Sequence, residues 1–215
     1  MTSIVAPLYL YIHGFNSSAQ SYKSQQLLLW LKELDQADRL LLPSLPYPPE
    51  EAIAMLDQLV VENAARPLVL VGSSLGGFYA TWLTEKYGSK QSIRSILINP
   101  SIRPFDLLDS WLGEVENFYT HQRYLLTRDH LQQLKALDCP ELSDPGRYLL
   151  LSQTGDEVLD YRQGVDKFSD SSQVVTLGGD HGFVNFKSYW PRMFEFAGDS
   201  ELQQLAESYL RDTLS

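Results

Sequence analysis

The sequence predicts an α/β fold, with a mostly parallel sheet of about six strands flanked by helices on both faces. Short runs of aliphatic residues, of the length of buried strands, recur along the chain. Between most of them lie longer stretches whose apolar residues repeat at helical spacing. The 215 residues, 44% of them hydrophobic and 20% charged, suit one soluble globular domain. We therefore expect a single compact domain over residues 1–215.

The first part of the chain alternates predicted strands with predicted helices. Strands are expected at residues 8–12, 39–42 and 68–71. The helix after the first strand carries an apolar face, made by Leu27, Leu28, Leu31 and Leu34. The next helix begins at Pro49, because proline has a helical φ and the following Glu50 and Glu51 favour the positive end of the helix dipole. Its buried side is predicted at Ile53, Leu56, Leu59 and Val60.

The second part keeps this alternation except in one segment. Strands are expected at residues 92–98, 147–152 and 173–177. Residues 100–146 break the pattern, with helices predicted around 105–112 and 123–137 and no strand. Long insertions between sheet elements often carry binding surfaces, so we interpret this segment as a small helical cap, with an ordinary surface excursion as the alternative.

A last helix is predicted at about residues 199–213. Ser200 and Gln203 fit a capping box, and Leu202, Leu205 and Leu210 form a narrow apolar stripe. We expect this stripe to pack back on the domain; a dimer contact is the alternative.

The segment around Ser74 carries the main functional signal. A predicted buried strand runs into Gly72-Ser73-Ser74-Leu75-Gly76 and then into a predicted helix. A serine in this pattern, at a sharp strand-to-helix turn, holds its hydroxyl out over the end of a sheet as a nucleophile. The alternative is a tight turn with an incidental serine, so the interpretation depends on finding the partners of a nucleophile elsewhere.

A serine nucleophile needs a base and an orienting carboxylate, which follow it along the chain in the order acid, then histidine. Of the four histidines, His13 precedes Ser74 and His121 and His130 lie in the insertion. His181, in a glycine-rich loop after the last predicted strand, is therefore the candidate base. Asp156, directly after the preceding strand, is the favoured acid, and Glu157, Asp160 and Asp180 are its rivals.

An oxyanion hole is the remaining requirement, because negative charge develops on the carbonyl oxygen during attack. One donor is expected to be the backbone N–H of Leu75, the residue after the nucleophile. The other comes from the loop after an earlier strand, which here is His13-Gly14-Phe15, so we assign the N–H of Phe15. His13 would then shape this loop.

If the insertion is a cap, its aromatic and aliphatic side chains offer apolar surface to an acyl chain. The substrate pocket is accordingly predicted to include Phe105, Leu108, Trp111 and Phe118. The same segment holds four basic and eight acidic residues, which disfavours a phosphate-rich substrate.

Composition narrows the partners and the compartment. The formal net charge of −10 argues against binding to nucleic acid or to an anionic membrane. Cys139 is the single cysteine, which excludes an intrachain disulfide and favours the cytoplasm. No basic residue precedes Lys23, so we expect no signal peptide, and no apolar run approaches the length of a membrane span. Metal-ligand motifs are absent, and no metal or cofactor is expected.

The sequence resembles the α/β-hydrolases, which share the order HG, G-x-S-x-G, GD-x-V and DH. HGFNSS, VGSSLGGFYATWL, NPSIRPFDLL and QTGDEVLDYRQ look like the small bacterial YqiA-type esterases, over about residues 8–197. The resemblance implies a compact hydrolase for esters, with acyl-thioesters as an alternative substrate class and with Ser74, Asp156 and His181 as a catalytic triad. Two departures are visible: GGDHGF stands where GGNHAF is expected, and the chain continues beyond Gly198.

The sequence thus favours a serine esterase that works through an acyl-enzyme on a small-molecule ester. An acyl-CoA thioesterase using the same site is the second enzyme hypothesis. A hydrolase-like binding or scaffold protein is the hypothesis from another class. We expect a monomer or a weak dimer.

Overall fold

The computed structural model describes residues 5–214 and contains a six-stranded parallel sheet. The eight strands in chain order are β1 Leu8–Ile12, β2 Leu40–Leu41, β3 Leu68–Ser73, β4 Ile93–Ile98, β5 Gly113–Glu116, β6 Arg123–Leu126, β7 Tyr148–Gln153 and β8 Ser172–Thr176. The main sheet has the order β2-β1-β3-β4-β7-β8, and each neighbouring pair is parallel. All six strands expected from the sequence belong to it, which confirms the predicted sheet.

Both faces of the sheet are buried, as continuous apolar runs predict. In β1, Leu8 and Leu10 contribute to one apolar core, whereas Tyr9 and Tyr11 contribute to the other, on the opposite face. Successive side chains of a strand point to opposite faces, so each central strand supplies both cores.

Eight α-helices flank the sheet within residues 5–214. They are α1 Tyr22–Glu33, α2 Pro49–Glu62, α3 Leu75–Tyr87, α4 Pro104–Leu107, α5 Arg128–Lys135, α6 Tyr161–Lys167, α7 Trp190–Ala197 and α8 Ser200–Leu214. The first, seventh and eighth pack on the face of Tyr9 and Tyr11. The second, third and fifth pack on the face of Leu8 and Leu10.

The insertion differs from the prediction, because it contains two strands. β5 and β6 form an antiparallel hairpin in which Val115 pairs with Tyr124 and Glu116 with Arg123. The prediction of no strand is therefore wrong, and the helix expected from residue 123 begins at Arg128, after the N-cap residue Thr127. Each strand has four residues, too few for the alternation of buried Val115 and Leu126 with exposed neighbours to be recognised.

The C-terminal helix packs back on the domain, with Leu202 and Ala206 fully buried against α1 and α7. Its N-cap is one residue earlier than predicted: Asp199 accepts a hydrogen bond from the backbone N–H of Leu202 at 3.2 Å. The Asp199 carboxylate also accepts from the Tyr9 hydroxyl at 2.8 Å and pairs with Arg39.

Because the strands of the main sheet are parallel, the loops that follow them meet at one edge. The segments after β1, β3, β4, β7 and β8 are those that carry the predicted site residues. No helix in the described part of the chain is long and apolar enough to cross a membrane.

Candidate active site

Ser74 lies between the end of β3 and the start of α3, in an unusual backbone conformation with φ 54° and ψ −120°. Positive φ is costly for a residue with a side chain and persists only where the surroundings enforce it. Here the N–H of Ser74 donates to the carbonyl of Ile98 at 3.0 Å, and its carbonyl accepts from Gly77 at 2.9 Å and Ser101 at 3.0 Å. The neighbouring strand and helix therefore hold the turn.

The glycines on either side of Ser74 permit close backbone packing. A Cβ at position 76 would lie 2.6 Å from the carbonyl carbon of Ile12, at the end of the neighbouring strand. A Cβ at position 72 would lie 2.7 Å from Gly77 Cα. Real Cβ atoms do not approach backbone so closely, so both positions need glycine for α3 to start directly over the sheet.

His181 connects Ser74 to Asp156. Its Nε2 lies 3.1 Å from the Ser74 hydroxyl oxygen, and its Nδ1 lies 2.9 Å and 3.0 Å from the two carboxylate oxygens of Asp156. The structure thus brings together three residues that the sequence separates by 107 and 25 positions. That they act in catalysis stays a prediction at this point.

Asp156 is the acid that contacts the imidazole ring, and the loop around it fixes its orientation. Its side chain is 2% exposed, and its Oδ1 also accepts from the backbone N–H groups of Val158 at 2.9 Å and Leu159 at 2.8 Å. These two contacts, together with those to the ring nitrogen, fix the orientation of the carboxylate toward His181.

Within residues 5–214, no hydrogen bond joins the side chain of a rival acid to the imidazole ring. Asp160 caps α6 and forms a two-point ion pair with Arg162. Glu157 accepts from the backbone N–H of His181 at 3.0 Å, so it supports the loop without contacting the ring. Asp180 has a buried Oδ1 with no hydrogen-bond partner among residues 5–214.

Two buried amide side chains, which the sequence analysis missed, hold the histidine loop. Asn99 is 2% exposed, and its Nδ2 donates to the carbonyls of Asp180 at 2.9 Å and His181 at 3.3 Å. Its Oδ1 accepts from the backbone N–H of Gln153. The Gln153 side chain in turn accepts from Val184 N–H and donates to its carbonyl, both at 3.0 Å. Asn99 directly follows the strand β4, and this position at the carboxyl end of a strand is the sequence feature that could have indicated a role near the site.

The predicted oxyanion donors lie beside Ser74. The loop after β1 comes so close that a Cβ at Gly14 would lie 3.0 Å from Ser74 Cβ. Within the described part of the chain, the N–H groups of Phe15 and Leu75 donate to no protein acceptor. Both are therefore available to an oxygen atom next to Ser74, although their role stays a prediction.

His13 fixes the shape of this loop. Its Nε2 accepts from the backbone N–H of Leu45 at 3.1 Å, and its Nδ1 therefore donates to the carbonyl of Gly14 at 3.0 Å. Burial lowers the pKa of His13, which favours the neutral ring that this pattern needs.

A cavity of about 520 Å³ adjoins this loop. Its wall includes Phe15 and Leu75, the segment before α2, the first turns of α2, and Tyr124 of the hairpin. Ser74 stands at its border, next to Gly14 and Leu75, which both line it.

The four residues predicted to form the substrate pocket do not line this cavity, and their role in substrate binding stays a prediction. Phe105 and Leu108 are buried in the core, where they hold the insertion to the domain. Trp111 packs edge-on against Phe15, with ring centroids 5.8 Å apart, and Phe118 is 67% exposed. The aromatic part of the cavity wall comes instead from Phe15, Tyr47, Tyr79 and Tyr124.

The arrangement supplies a hydroxyl, a base in hydrogen-bond reach, an oriented carboxylate and two free N–H groups. Those are the components that acyl transfer requires. Among residues 5–214, no group of three His, Cys, Asp or Glu side chains could hold a metal ion.

Comparison with known proteins places the chain among relatives of undefined role. The sequence model of the uncharacterised protein family UPF0227 matches residues 8–198. A UPF0227 protein of Shewanella woodyi is 29% identical over 50% of this chain and 56% of its own length. The UPF0227 protein YcfP of Escherichia coli is 25% identical over 51% of this chain and 59% of its own length. The YcfP protein of Salmonella paratyphi A is 25% identical over 87% of this chain and 97% of its own length. The first two alignments thus span little more than half of those relatives.

Solved structures of similar shape are α/β-hydrolases. Est1E from Butyrivibrio proteoclasticus has a TM-score of 0.61 at 14% identity, covering 95% of this chain and 90% of its own. A monoacylglycerol lipase of Paleococcus ferrophilus has a TM-score of 0.61 at 14% identity, covering 89% of this chain and 94% of its own. The mouse alpha/beta hydrolase domain-containing protein 10 has a TM-score of 0.60 at 16% identity, covering 96% of this chain and 90% of its own. At these identities the likeness concerns the fold, and it confirms the α/β-hydrolase fold predicted from the sequence.

Proposed function

The chain belongs to the uncharacterised protein family UPF0227, and we propose that it is a serine hydrolase that cleaves carboxylic esters through an acyl-enzyme. The observation that supports this most is the continuous contact from the Ser74 hydroxyl through His181 to the buried Asp156 carboxylate. The esterases and lipases among proteins of the same fold favour ester substrates.

In the proposed first step, the Ser74 oxygen attacks the ester carbonyl while His181 Nε2 takes its proton. Asp156 accepts the hydrogen bond from Nδ1–H, which fixes the tautomer and stabilises the imidazolium. The N–H groups of Phe15 and Leu75 donate to the oxyanion. His181 then returns the proton to the leaving alcohol, and the acyl group remains on Ser74.

In the second step a water molecule replaces the alcohol. His181 removes its proton, the oxygen attacks the acyl carbonyl, and the acid product leaves as Ser74 regains its proton. This sequence of steps needs no cofactor. We further propose that residues 1–215 act as one cytoplasmic domain with residues 100–146 as a cap, as a monomer or weak dimer.

The test is Ser74→Ala, measured by hydrolysis of a neutral acyl ester and by covalent labelling with a fluorophosphonate probe. Loss of the nucleophile should lower the rate by around six decades and abolish labelling. Ser73→Ala is the matched control, because Ser73 is the preceding residue, at the end of β3, and no hydrogen bond joins it to His181 among residues 5–214. More than a few per cent residual activity in pure Ser74→Ala would refute the nucleophile assignment. Absence of labelling in the wild type would favour a binding or scaffold protein.

A further inference from the structure

The cavity beside Ser74 is rich in aromatic rings and carries a negative charge. Phe15, Tyr47, Tyr79 and Tyr124 contribute to its wall. Glu51 is the one carboxylate in the described lining, which includes no lysine or arginine. The side chain of Glu51 is exposed and has no hydrogen bond or ion pair among residues 5–214. Its charge is therefore available to a ligand.

Two of these rings are held in fixed positions. Tyr47 stacks on Tyr124 with centroids 4.5 Å apart and an interplanar angle of 20°. The Tyr124 hydroxyl donates to Asn16 Oδ1 at 2.6 Å, and His130 contacts Tyr47 edge-on at 5.9 Å. Tyr47 remains 44% exposed, so this preformed aromatic wall is open to the solvent side of the cavity.

Three basic residues near the cavity are engaged elsewhere. Arg123, between two lining residues, pairs with Glu116 at 3.0 Å. Lys23 donates to the Gly182 carbonyl at 2.8 Å on the far side of the loop after β1. Arg103 pairs with Asp106 at 2.5 Å and lines a separate cavity of about 310 Å³, beside the loop that carries Asp156. None of them lines the aromatic cavity, so in its described wall the charge of Glu51 is not offset by a lysine or an arginine.

We propose that this cavity selects esters that carry an ammonium group, with Glu51 and Tyr47 as the specificity-determining residues. Aromatic faces attract cations through their quadrupole, and quaternary ammonium groups are bound by such rings because they have no N–H to be desolvated. A carboxylate in the wall of the same cavity adds a charge interaction, and the net charge of −10 steers cations toward the protein. This inference rests on the proposed esterase function.

The experiment compares two esters of the same acyl group, a choline ester and its 3,3-dimethylbutyl isostere, in which carbon replaces the charged nitrogen. Shape and apolar surface are matched, so the ratio of their kcat/KM values reports charge recognition. We expect the choline ester to be preferred by roughly tenfold in the wild type, as an aromatic site with a carboxylate should give. The preference should fall as salt is added.

Three variants test which residues cause the preference for the choline ester. Glu51→Gln should lower the ratio several-fold, and Tyr47→Leu should lower it as well. Glu50→Gln is the matched control: Glu50 lies in the same first turn of α2, contacts Gln133 and does not line the cavity. It should leave the ratio unchanged. A wild-type ratio of one or less, or a ratio that Glu51→Gln does not alter, would overturn the proposal.

A binding measurement separates this inference from the proposed function. Tetramethylammonium should competitively inhibit hydrolysis of the neutral ester, and should bind Ser74→Ala protein in calorimetry more tightly than it binds Ser74→Ala with Glu51→Gln. Hydrolysis of the neutral ester without tetramethylammonium binding would overturn the cation site alone. Tetramethylammonium binding by a wild-type protein that the fluorophosphonate probe does not label would refute the esterase function and support the cation site.

Discussion

Asp156 differs from the neighbouring acids in what its carboxylate contacts. It is the one acid of the loop that touches the His181 ring, and two backbone N–H groups fix it. The Asp160 carboxylate is occupied by Arg162 and by the start of α6. A negative charge next to the imidazolium stabilises the transition state only where it can reach the ring.

Asp156→Asn should therefore cost the most among the acids, about four decades in kcat, because an amide cannot stabilise the imidazolium and can favour the wrong tautomer. Asp160→Asn and Asp180→Asn should each remain within roughly tenfold of the wild type, since neither side chain contacts the ring. Steady-state rates on one neutral ester decide this. If Asp160→Asn were the most damaged variant, the assignment of the acid would be wrong.

Asn99 positions His181 without touching the reacting atoms. Its amide joins the ends of β4 and β7 to the carbonyls of Asp180 and His181, across 81 and 82 positions of sequence. A small displacement of a catalytic base can cost around a hundredfold in rate. The hydrogen bonds of Asn99 thus link the geometry of the sheet to that of the base.

Asn99→Ala should lower kcat by about tenfold to a hundredfold with a smaller change in KM, because the base moves while the cavity stays intact. The free energy of unfolding should fall by about 1–3 kcal/mol, since buried carbonyls lose their donor. Asn63→Ala is the control, in a helix C-cap remote from the site. An unchanged kcat, measured well below the melting temperature, would show that Asn99 has a structural role only.

Sequence patterns were enough to propose the candidate site residues that lie in short local motifs. They did not reveal the residues whose role depends on contacts with distant parts of the chain. Ser74, Asp156 and His181 each follow a strand in a fixed order, so position along the chain favoured them, while other acids remained rivals of Asp156. The amides of Asn99 and Gln153 reach other loops, and no spacing in the sequence reports that.

At the scale of whole elements, the hairpin is where the prediction failed. A helix was expected from residue 123, but Thr127 caps a helix that starts at Arg128, with His130 completing a capping box. The preceding residues pair with residues 113–116 instead, helped by the Glu116–Arg123 ion pair at 3.0 Å. Pairing across a turn depends on the partner strand, so a single short segment did not reveal it.

The C-terminal helix, by contrast, was predicted well, and one buried acid anchors it. Asp199 follows the last residue of the family match and meets Arg39, whose side chain is only 7% exposed. Removing one partner of a buried ion pair leaves an uncompensated charge. The helix therefore depends on this pair as well as on its apolar stripe.

Asp199→Ala should lower the free energy of unfolding by about 3–5 kcal/mol, because Arg39 stays buried and Glu201, 3.9 Å from it, is largely exposed. Asp38→Ala, an exposed acid next to Arg39 in sequence, should stay within about 0.5 kcal/mol. Urea denaturation of the full chain measures both. A loss below about 1 kcal/mol for Asp199→Ala would contradict the anchoring role assigned to Asp199.

On the scale of the whole molecule, negative charge dominates both the chain and its insertion. The net charge is −10, and residues 100–146 contain four basic and eight acidic residues. The structure neutralises three of the four bases: Arg103 pairs with Asp106, Arg123 with Glu116, and Arg128 lies 4.0 Å from Asp109. The insertion therefore remains net negative, which disfavours the approach of the phosphates of coenzyme A.

We accordingly expect a neutral ester to be a better substrate than an acyl-CoA of equal acyl length. Repulsion between the phosphates and the acidic surface should lower kcat/KM for the CoA substrate, mainly through slower association. Added salt should relax this, because exposed charges are screened beyond about 10 Å at 0.1 M ionic strength. The measurement is kcat/KM for both substrates at low and moderate salt, with Asp106→Asn, which frees Arg103, as a variant that should raise the CoA value. A CoA ester that is preferred, and whose kcat/KM falls with salt, would instead reveal a basic phosphate site and favour the thioesterase hypothesis.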